Sequence, residues 1–218
     1  MNLFLNLTKQ LNKMVKPISQ NLETEFIILE AARKIFMKKG MHGARMQEIA
    51  DEAGINKALL HYYYRNKEQL FMKIFKETFY KFFPEVLVVL DSEVSFESKI
   101  KLFVRAYIDM LIDNPFIPVF IINEIHNKPE ILSDMTGKMS KLTESKFFVQ
   151  LNEKINSGKI KPIKPIHLLI NMLSLSVFPF VASPMIRGVF SMTDADMKNF
   201  YEERKELIPA LIINSLKN

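Results

Sequence analysis

The chain has 218 residues, enough for one large or two modest domains, and its 48% hydrophobic content supports a buried core. Zero cysteines exclude disulfides, thiolate metal sites and a cysteine nucleophile. The formal net charge is a modest +6. With only six glycines and few alternating apolar runs, the sequence predicts an all-α protein.

All of the excess positive charge lies before residue 83. Residues 1–21 contain three lysines and no acid, and residues 22–82 contain 11 Lys/Arg against 8 Asp/Glu. Residues 83–218 are balanced, with 16 of each sign. Because phosphates attract positive charge, the first third is the expected nucleic-acid-binding part, although a solvated basic face would give the same numbers.

The start of the chain carries no secretion signal, which favours a cytoplasmic protein. It has no basic segment before its mildly apolar residues and no small-residue cleavage site after them. We expect residues 1–21 to be a poorly ordered extension, with Met14 as an alternative first residue.

Residues 22–39 are predicted to form the first full helix, which Gly40 ends. Two short helices follow within residues 46–64. Gly54 separates them, because a tight turn there needs a residue that tolerates positive φ, and Asn56 is placed to cap the second helix. The apolar spacing around that glycine is typical of a helix-turn-helix.

The polar face of the second short helix carries Lys57, Ala58, His61 and Tyr62, and residues 54–67 contain no acid. A helix with a lysine, a small residue and aromatic hydrogen-bonding groups suits a DNA major groove. An ordinary helical hairpin with an exposed basic face is the alternative interpretation. The following helix is predicted over residues 67–83, capped by Asn66 with Gln69 and ended by Pro84.

The segment ILEAARKIFMKKGMHGARMQEIADEAGINKALLHYYYRNKEQLF resembles the DNA-binding domain of TetR-family transcriptional regulators, and the similarity covers roughly residues 23–82. The resemblance implies a three-helix DNA-binding domain, here residues 22–83. It also implies a C-terminal helical ligand-binding and dimerisation domain, here residues 84–218.

The same resemblance assigns roles to individual residues. Those expected to face bases are Gln47, Lys57, Ala58 and Leu59, and those expected at phosphates are His61, Tyr62, Tyr63 and Lys67. Arg45 and Met46 stand where the family usually has Thr or Ser, so the hydroxyl cap of that helix is missing and Arg45 becomes a further phosphate candidate. Tyr64 is expected in the core.

Beyond Pro84, residues 85–98 predict a loop or a short helix. Further helices are predicted over residues 98–113, 116–126, 137–156, 166–178 and 194–216, the last capped by Thr193 with Asp196. Residues 165–186 lack charge, but their polar residues and prolines favour a helix packed on both sides over a membrane span. Two apolar C-terminal helices per subunit would form a four-helix homodimer interface and present two recognition helices to a palindromic operator in double-stranded DNA.

No catalytic or nucleotide-binding motif is present, so we predict no enzyme, no cofactor and no metal site. A small-molecule effector is expected in the C-terminal domain, and the lack of charged residues among its candidate contacts favours a mainly apolar compound. These candidates, which plain core packing would explain equally well, are Phe103, Tyr107, Met110, Phe120, Phe147, Met172 and Phe178.

The sequence therefore predicts a sequence-specific DNA-binding regulator, most simply a repressor released by that effector. The rival hypothesis is a DNA-binding protein of the same fold that acts through a protein partner, without a small-molecule ligand.

Overall fold

The computed structural model describes the backbone of residues 2–127, 142 and 144–218, and the side chains of residues 21–122, 142 and 144–218. Every regular element in that part of the chain is a helix, which confirms the all-α class. The helices are α1 (Asn2–Gly43), α2 (Met46–Glu52), α3 (Lys57–Tyr63), α4 (Lys67–Asp91), α5 (Phe96–Asp113), α6 (Ile117–Asn127), α7 (Lys146–Asn156), α8 (Pro165–Val181), α9 (Ser183–Phe190) and α10 (Asp194–Leu216). The chain divides into two compact units, Met1–Glu77 and Thr78–Asn218.

The first unit contains α1, α2, α3 and the beginning of α4. Helical backbone starts at Asn2, ahead of the predicted start at residue 22, and the poor order expected of residues 1–21 stays a prediction. Gly40 breaks α1 with φ 66° and ψ 174°, and helical turns resume as far as Gly43. Phe36 of α1 packs on Phe71 of α4 with ring centroids 5.2 Å apart, in a core whose other fully buried members are Ile28, Ala32, Ile49, Ala50, Leu60, Leu70 and Ile74.

The predicted end of α4 at Pro84 is wrong, because the helix continues to Asp91. A proline within a helix removes one backbone hydrogen bond. Phe83, Val86 and Leu90 are each less than 10% exposed, so packing of this segment compensates for that loss. The first half of the segment predicted as a loop or short helix, residues 85–91, is therefore the last two turns of α4.

The core of the second unit is built from α4, α5, α7, α8 and α10. Phe96 of α5 stacks on Phe147 of α7 at 5.0 Å, and Phe180 of α8 stacks on Tyr201 of α10 at 4.0 Å. Ion pairs also join α5 to α10, since Lys205 Nζ lies 2.5 Å from Asp109 Oδ1.

A proline also shapes the contact between α8 and α10. Pro179 lies inside α8 and has no N–H to donate to the carbonyl of Leu175, four residues earlier. Arg204 of α10 donates to that carbonyl oxygen at 2.7 Å. The guanidinium thus replaces the missing helix bond and fixes α10 against α8.

The later helices agree with the predictions in part. α10 spans the predicted residues, and its Thr193–Asp196 capping box is present. Of the helix predicted over residues 137–156, residue 142 and Lys146–Asn156 are helical, with a turn and a bend at residues 144–145 between them. Residues 137–141 and 143 lie outside the described residues. The sequence predicted neither α9 nor the N-cap of α5, which is Ser95.

Candidate nucleic-acid interface

A four-residue turn between α2 and α3 sets the direction of the second helix. Gly54 has φ 67°, where a side chain would be strained, so the predicted role of this glycine is confirmed. The amide of Ile55 donates to the carbonyl of Ala50 at 3.0 Å and closes the turn. Asn56 then caps α3, because its Oδ1 accepts a hydrogen bond from the amide of Leu59 at 2.8 Å.

The outer face of α3 is open to solvent. Lys57, Ala58, His61 and Tyr62 are exposed, Tyr62 to 79%, while Leu60 on the opposite face is fully buried. Leu59, at 37% exposure, lies at the edge of this face. These five residues were all predicted at bases or phosphates, and the structure brings them together on one side of α3. Tyr63, the sixth predicted contact on this helix, is partly buried.

The two tyrosines at the end of α3 connect it to α1. Tyr63 is partly buried, and its hydroxyl donates to the side-chain oxygen of Asn21. Tyr64 is 8% exposed, which confirms its predicted core position, and its hydroxyl donates to Glu25 Oε1 at 2.8 Å. Burial, and then the hydrogen bond to the Glu25 carboxylate, raise the pKa of Tyr64 far above its ordinary value. Tyr64 is therefore a neutral donor that holds the recognition helix in place.

Glu25 receives a second interaction from α4. Lys73 Nζ lies 3.3 Å from Glu25 Oε1, on the carboxylate that already accepts from Tyr64. The hydrogen bond from Tyr64, together with Lys73, lowers the pKa of Glu25 below its ordinary value despite partial burial. Sequence reasoning missed this three-helix arrangement, because residues from three separate segments meet in it.

Lys67, a predicted phosphate contact, has a different immediate environment. Its Nζ donates to the carbonyl oxygens of Met41, His42 and Ala44 at 2.9, 3.3 and 3.3 Å. All three ammonium donors are therefore used to bind carbonyls at the end of α1. A hydrogen bond from Lys67 to phosphate would have to replace one of these bonds.

The beginning of α2 presents the remaining candidates. Arg45 is the N-cap residue, is exposed and makes no side-chain capping bond, so the missing hydroxyl cap inferred from the sequence is confirmed. Gln47 is exposed, and its Nε2 donates to Asp51 Oδ1 at 2.8 Å. The amide of Gln47 is thus oriented by its own helix, while the Arg45 guanidinium is available to an anion.

Most of the predicted effector contacts lie in or against the core of the second unit. Phe103, Phe120, Phe147 and Met172 are each no more than 5% exposed, and Tyr107 and Met110 pack against that core. The rings of Phe103 and Tyr107 are 6.0 Å apart, and burial raises the pKa of Tyr107 to about 12. These residues pack as core, as the alternative interpretation expects, and their contact with an effector stays a prediction.

Phe178 does not join this set. It is 57% exposed, because it lies on the face of α8 opposite Leu168, Met172 and Phe180. The interpretation of α8 as packed on both sides is therefore wrong for a single chain. Other large apolar side chains at least 49% exposed on α8 and α10 are Ile166, Ile170, Leu207 and Leu211.

The described residues were also compared with the requirements of a membrane span and of a metal site. Among the described residues, no helix by itself is long and apolar enough to cross a membrane, and α8 and α9 reach that length only as a pair bent by 64°. The same part of the chain contains no group of three or more side chains able to hold a metal ion.

Comparison with known proteins agrees with the helix-turn-helix geometry. Residues 28–74 match the family model of bacterial regulatory proteins, tetR family. The chain is 25% identical to the transcriptional regulator RutR of Escherichia coli K12 over 87% of this chain and 89% of RutR. It is also 25% identical to IcaR of Staphylococcus epidermidis, a negative transcriptional regulator of the biofilm operon icaADBC, over 66% of this chain and 71% of IcaR.

The fold is similar to that of solved regulators over most of the chain. The crystal structure of the transcriptional regulator FadR from Bacillus subtilis in complex with stearoyl-CoA superimposes with a TM-score of 0.58. The similarity covers 84% of this chain and 96% of FadR, at 17% sequence identity.

Proposed function

We propose that this chain, which belongs to the TetR family of transcriptional regulators, is a homodimeric repressor that a small, mainly apolar ligand releases from its operator. The observation that carries the proposal is the exposed, acid-free face of α3. It is held by Asn56 at the beginning of the helix and by Tyr64 directly after its end. A rigid helix with an open polar face is what reading of a major groove requires.

Direct readout is assigned to the exposed side chains nearest the beginning of α3. Lys57 is a donor suited to guanine, and Ala58 and Leu59 offer apolar contact to a thymine methyl group. Gln47 would read a base from α2. Arg45, His61, Tyr62 and Tyr63 are assigned to phosphates, which set the register without reading sequence. Lys67 contributes through its charge near the backbone, because its donors are already used.

Dimerisation is assigned to the exposed apolar face of α8 and α10. Phe178, Ile166 and Ile170 of α8 and Leu207 and Leu211 of α10 leave a large apolar surface in water. Isologous pairing of two helices from each chain would bury it in a four-helix arrangement. Two chains would then present two α3 helices to a palindromic operator.

Release by a ligand follows from linkage between two states. A ligand that binds the second unit more tightly in a DNA-incompetent spacing of the two reading heads lowers DNA affinity by that difference in binding free energy. The apolar cluster around Phe103 and Tyr107 is the assigned contact region. A negative regulator among the relatives and a fatty-acyl ligand in a structural neighbour are consistent with this direction.

The second candidate function is a regulator of the same fold that acts through a protein partner. Its supporting observation is α9, an eight-residue helix on which Met185, Val189 and Phe190 are 57–71% exposed. Thermal unfolding of the protein with a panel of apolar compounds separates the two candidates. Only a ligand-gated regulator gains stability from ligand binding.

The primary test measures binding of the purified protein to DNA upstream of its own gene by fluorescence anisotropy across a salt series. Lys57→Ala is expected to weaken specific binding about 10- to 100-fold and to relax base preference at one position of each half-site. Lys101→Ala is the matched control, because it removes the same charge from an exposed position in α5. Wild-type affinity and base preference for Lys57→Ala would contradict the assigned interface.

A further inference from the structure

Lys99, in the second turn of α5, is a buried cation without a hydrogen-bond partner in the described part of the chain. Its side chain is fully buried, and its Nζ donates no hydrogen bond to any atom among the described residues. The two nearby acids, Asp91 and Glu93, both interact with Lys146. Asp91 Oδ1 accepts from the backbone amide of Lys146 at 3.1 Å, and Glu93 pairs with the Lys146 ammonium.

Among the residues that the structure describes, the other buried polar side chains differ from Lys99. The buried hydroxyls of Ser145 and Ser176 each donate to a backbone carbonyl at 2.7 Å. Other side chains with one unbonded buried atom still make a hydrogen bond through a second atom, as Gln150 and Arg204 do. Lys99 is different because the ammonium, its only polar side-chain group, makes no hydrogen bond to any described residue.

A buried ammonium without a partner is destabilising, since burial removes its hydration without replacing it. Burial lowers the pKa of Lys99, and Glu93 and Asp91 oppose that effect through space. The ammonium is therefore partly offset in charge by these two carboxylates but has no hydrogen-bond acceptor among the described residues. A hydrophobic residue would satisfy the packing alone at lower cost.

The residues around Lys99 on α5 are apolar and lie on the same helix face. Phe96 precedes it by three residues, and Phe103 follows by four and Met110 by eleven, all within one stripe at helical spacing. From Lys99 to Met110 this stripe is about 16 Å long at the rise of an α-helix. It includes Phe103 and Met110, which are already assigned to the effector.

We propose that Lys99 binds the carboxylate of an amphiphilic effector whose apolar chain lies along the α5 stripe. The proposal rests on the proposed function, in which the second unit binds a small ligand, and it specifies the chemical class of that ligand. The sequence pattern alone suggested a ligand without charge, because Lys99 was not among the predicted contacts.

The test uses dodecanoate and the uncharged 1-dodecanol as probes of the full-length protein, each below its aggregation concentration. Isothermal titration is expected to give a dodecanoate Kd that weakens about 10- to 100-fold in Lys99→Met, the range for losing a charged hydrogen bond. Binding of 1-dodecanol should be weaker than that of dodecanoate in wild type and should not weaken in the variant. Lys101→Met is the matched control on the same helix and should keep the wild-type preference for dodecanoate.

Equal binding of both probes to wild type, or an undiminished carboxylate preference in Lys99→Met, would overturn the proposal. A thermal unfolding curve of ligand-free Lys99→Met monitors folding, and loss of a buried unpaired charge predicts a Tm equal to or above that of wild type. A folded variant with lost carboxylate preference supports the assignment. DNA binding of wild type with dodecanoate tests the proposed function separately, because carboxylate capture without operator release would contradict ligand-controlled repression and leave the Lys99 site standing.

Discussion

The two units of the chain differ in how completely they satisfy their own side chains. In the first unit, Tyr64, Glu25 and Lys73 bond to one another, and Lys67 uses all its donors on backbone carbonyls. In the second unit, large apolar side chains are exposed on α8 and α10, and the ammonium of Lys99 has no hydrogen-bond partner among the described residues. The first unit therefore satisfies these side chains within one chain, whereas the second unit leaves apolar side chains and a buried ammonium that we propose other molecules cover.

The largest expected effect comes from placing a charge on the exposed apolar face. Ile170→Glu should convert the dimer to a monomer, because burying two carboxylates in an apolar interface carries a large desolvation cost. Loss of the second reading head should then lower operator affinity by about 100-fold or more. Sedimentation velocity measures the first effect and fluorescence anisotropy the second.

Val149→Glu is the matched control for this variant. Val149 lies on α7 and is 52% exposed, close to the 50% of Ile170, but α7 is not part of the assigned interface. We expect Val149→Glu to stay dimeric and to bind the operator like wild type. If the Ile170→Glu protein were still dimeric, the interface assigned to α8 and α10 would be wrong. The exposed apolar side chains of the second unit would then no longer indicate a partner.

A smaller effect separates structural from DNA-contacting cations in the first unit. Lys67→Met should lower the free energy of unfolding by about 1–3 kcal/mol, because three carbonyls at the end of α1 lose a charged donor. Arg45→Met, at an exposed residue without a capping bond, should leave stability unchanged and reduce the salt slope of DNA binding by about 1. Chemical denaturation and a salt series measure the two quantities.

If Lys67→Met had the wild-type free energy of unfolding and a reduced salt slope of DNA binding, Lys67 would be a phosphate contact, as the sequence predicted. That result would mean that the carbonyl bonds of Lys67 exchange for phosphate at little cost.

Local sequence signals were sufficient for much of the fold. The positive φ of Gly54, the cap at Asn56 and the Thr193 capping box each depend on residues within a few positions, and each prediction was confirmed. The end of α4 was missed because tertiary packing outweighs the local penalty of Pro84. Exposure of Phe178 was missed because periodicity does not distinguish a face buried in the chain from one left open.

For the candidate sites, too, local features could be predicted from the sequence and tertiary contacts could not. The exposed residues of α3 follow from helical spacing, whereas the environment of Lys67 depends on carbonyls more than twenty residues away. Lys99 was missed for the related reason that a lysine in an amphipathic helix is ordinarily solvent-exposed. The assigned DNA and ligand contacts themselves stay predictions.

The smallest expected effect tests how the complete unit holds its recognition helix. Tyr64→Phe removes the hydroxyl that donates to Glu25 and should lower the free energy of unfolding at pH 7 by about 1 kcal/mol, since Lys73 still pairs with the carboxylate. The folded pKa of Glu25 lies below its ordinary value of 4.5, so its contribution is present above that pH and is lost as pH falls through the folded pKa. The difference between wild type and variant should therefore be constant from pH 7 to about pH 5 and shrink at lower pH. Urea denaturation across this range measures the difference, and a pH-independent difference would mean that the Tyr64 hydroxyl contributes independently of the charge on Glu25.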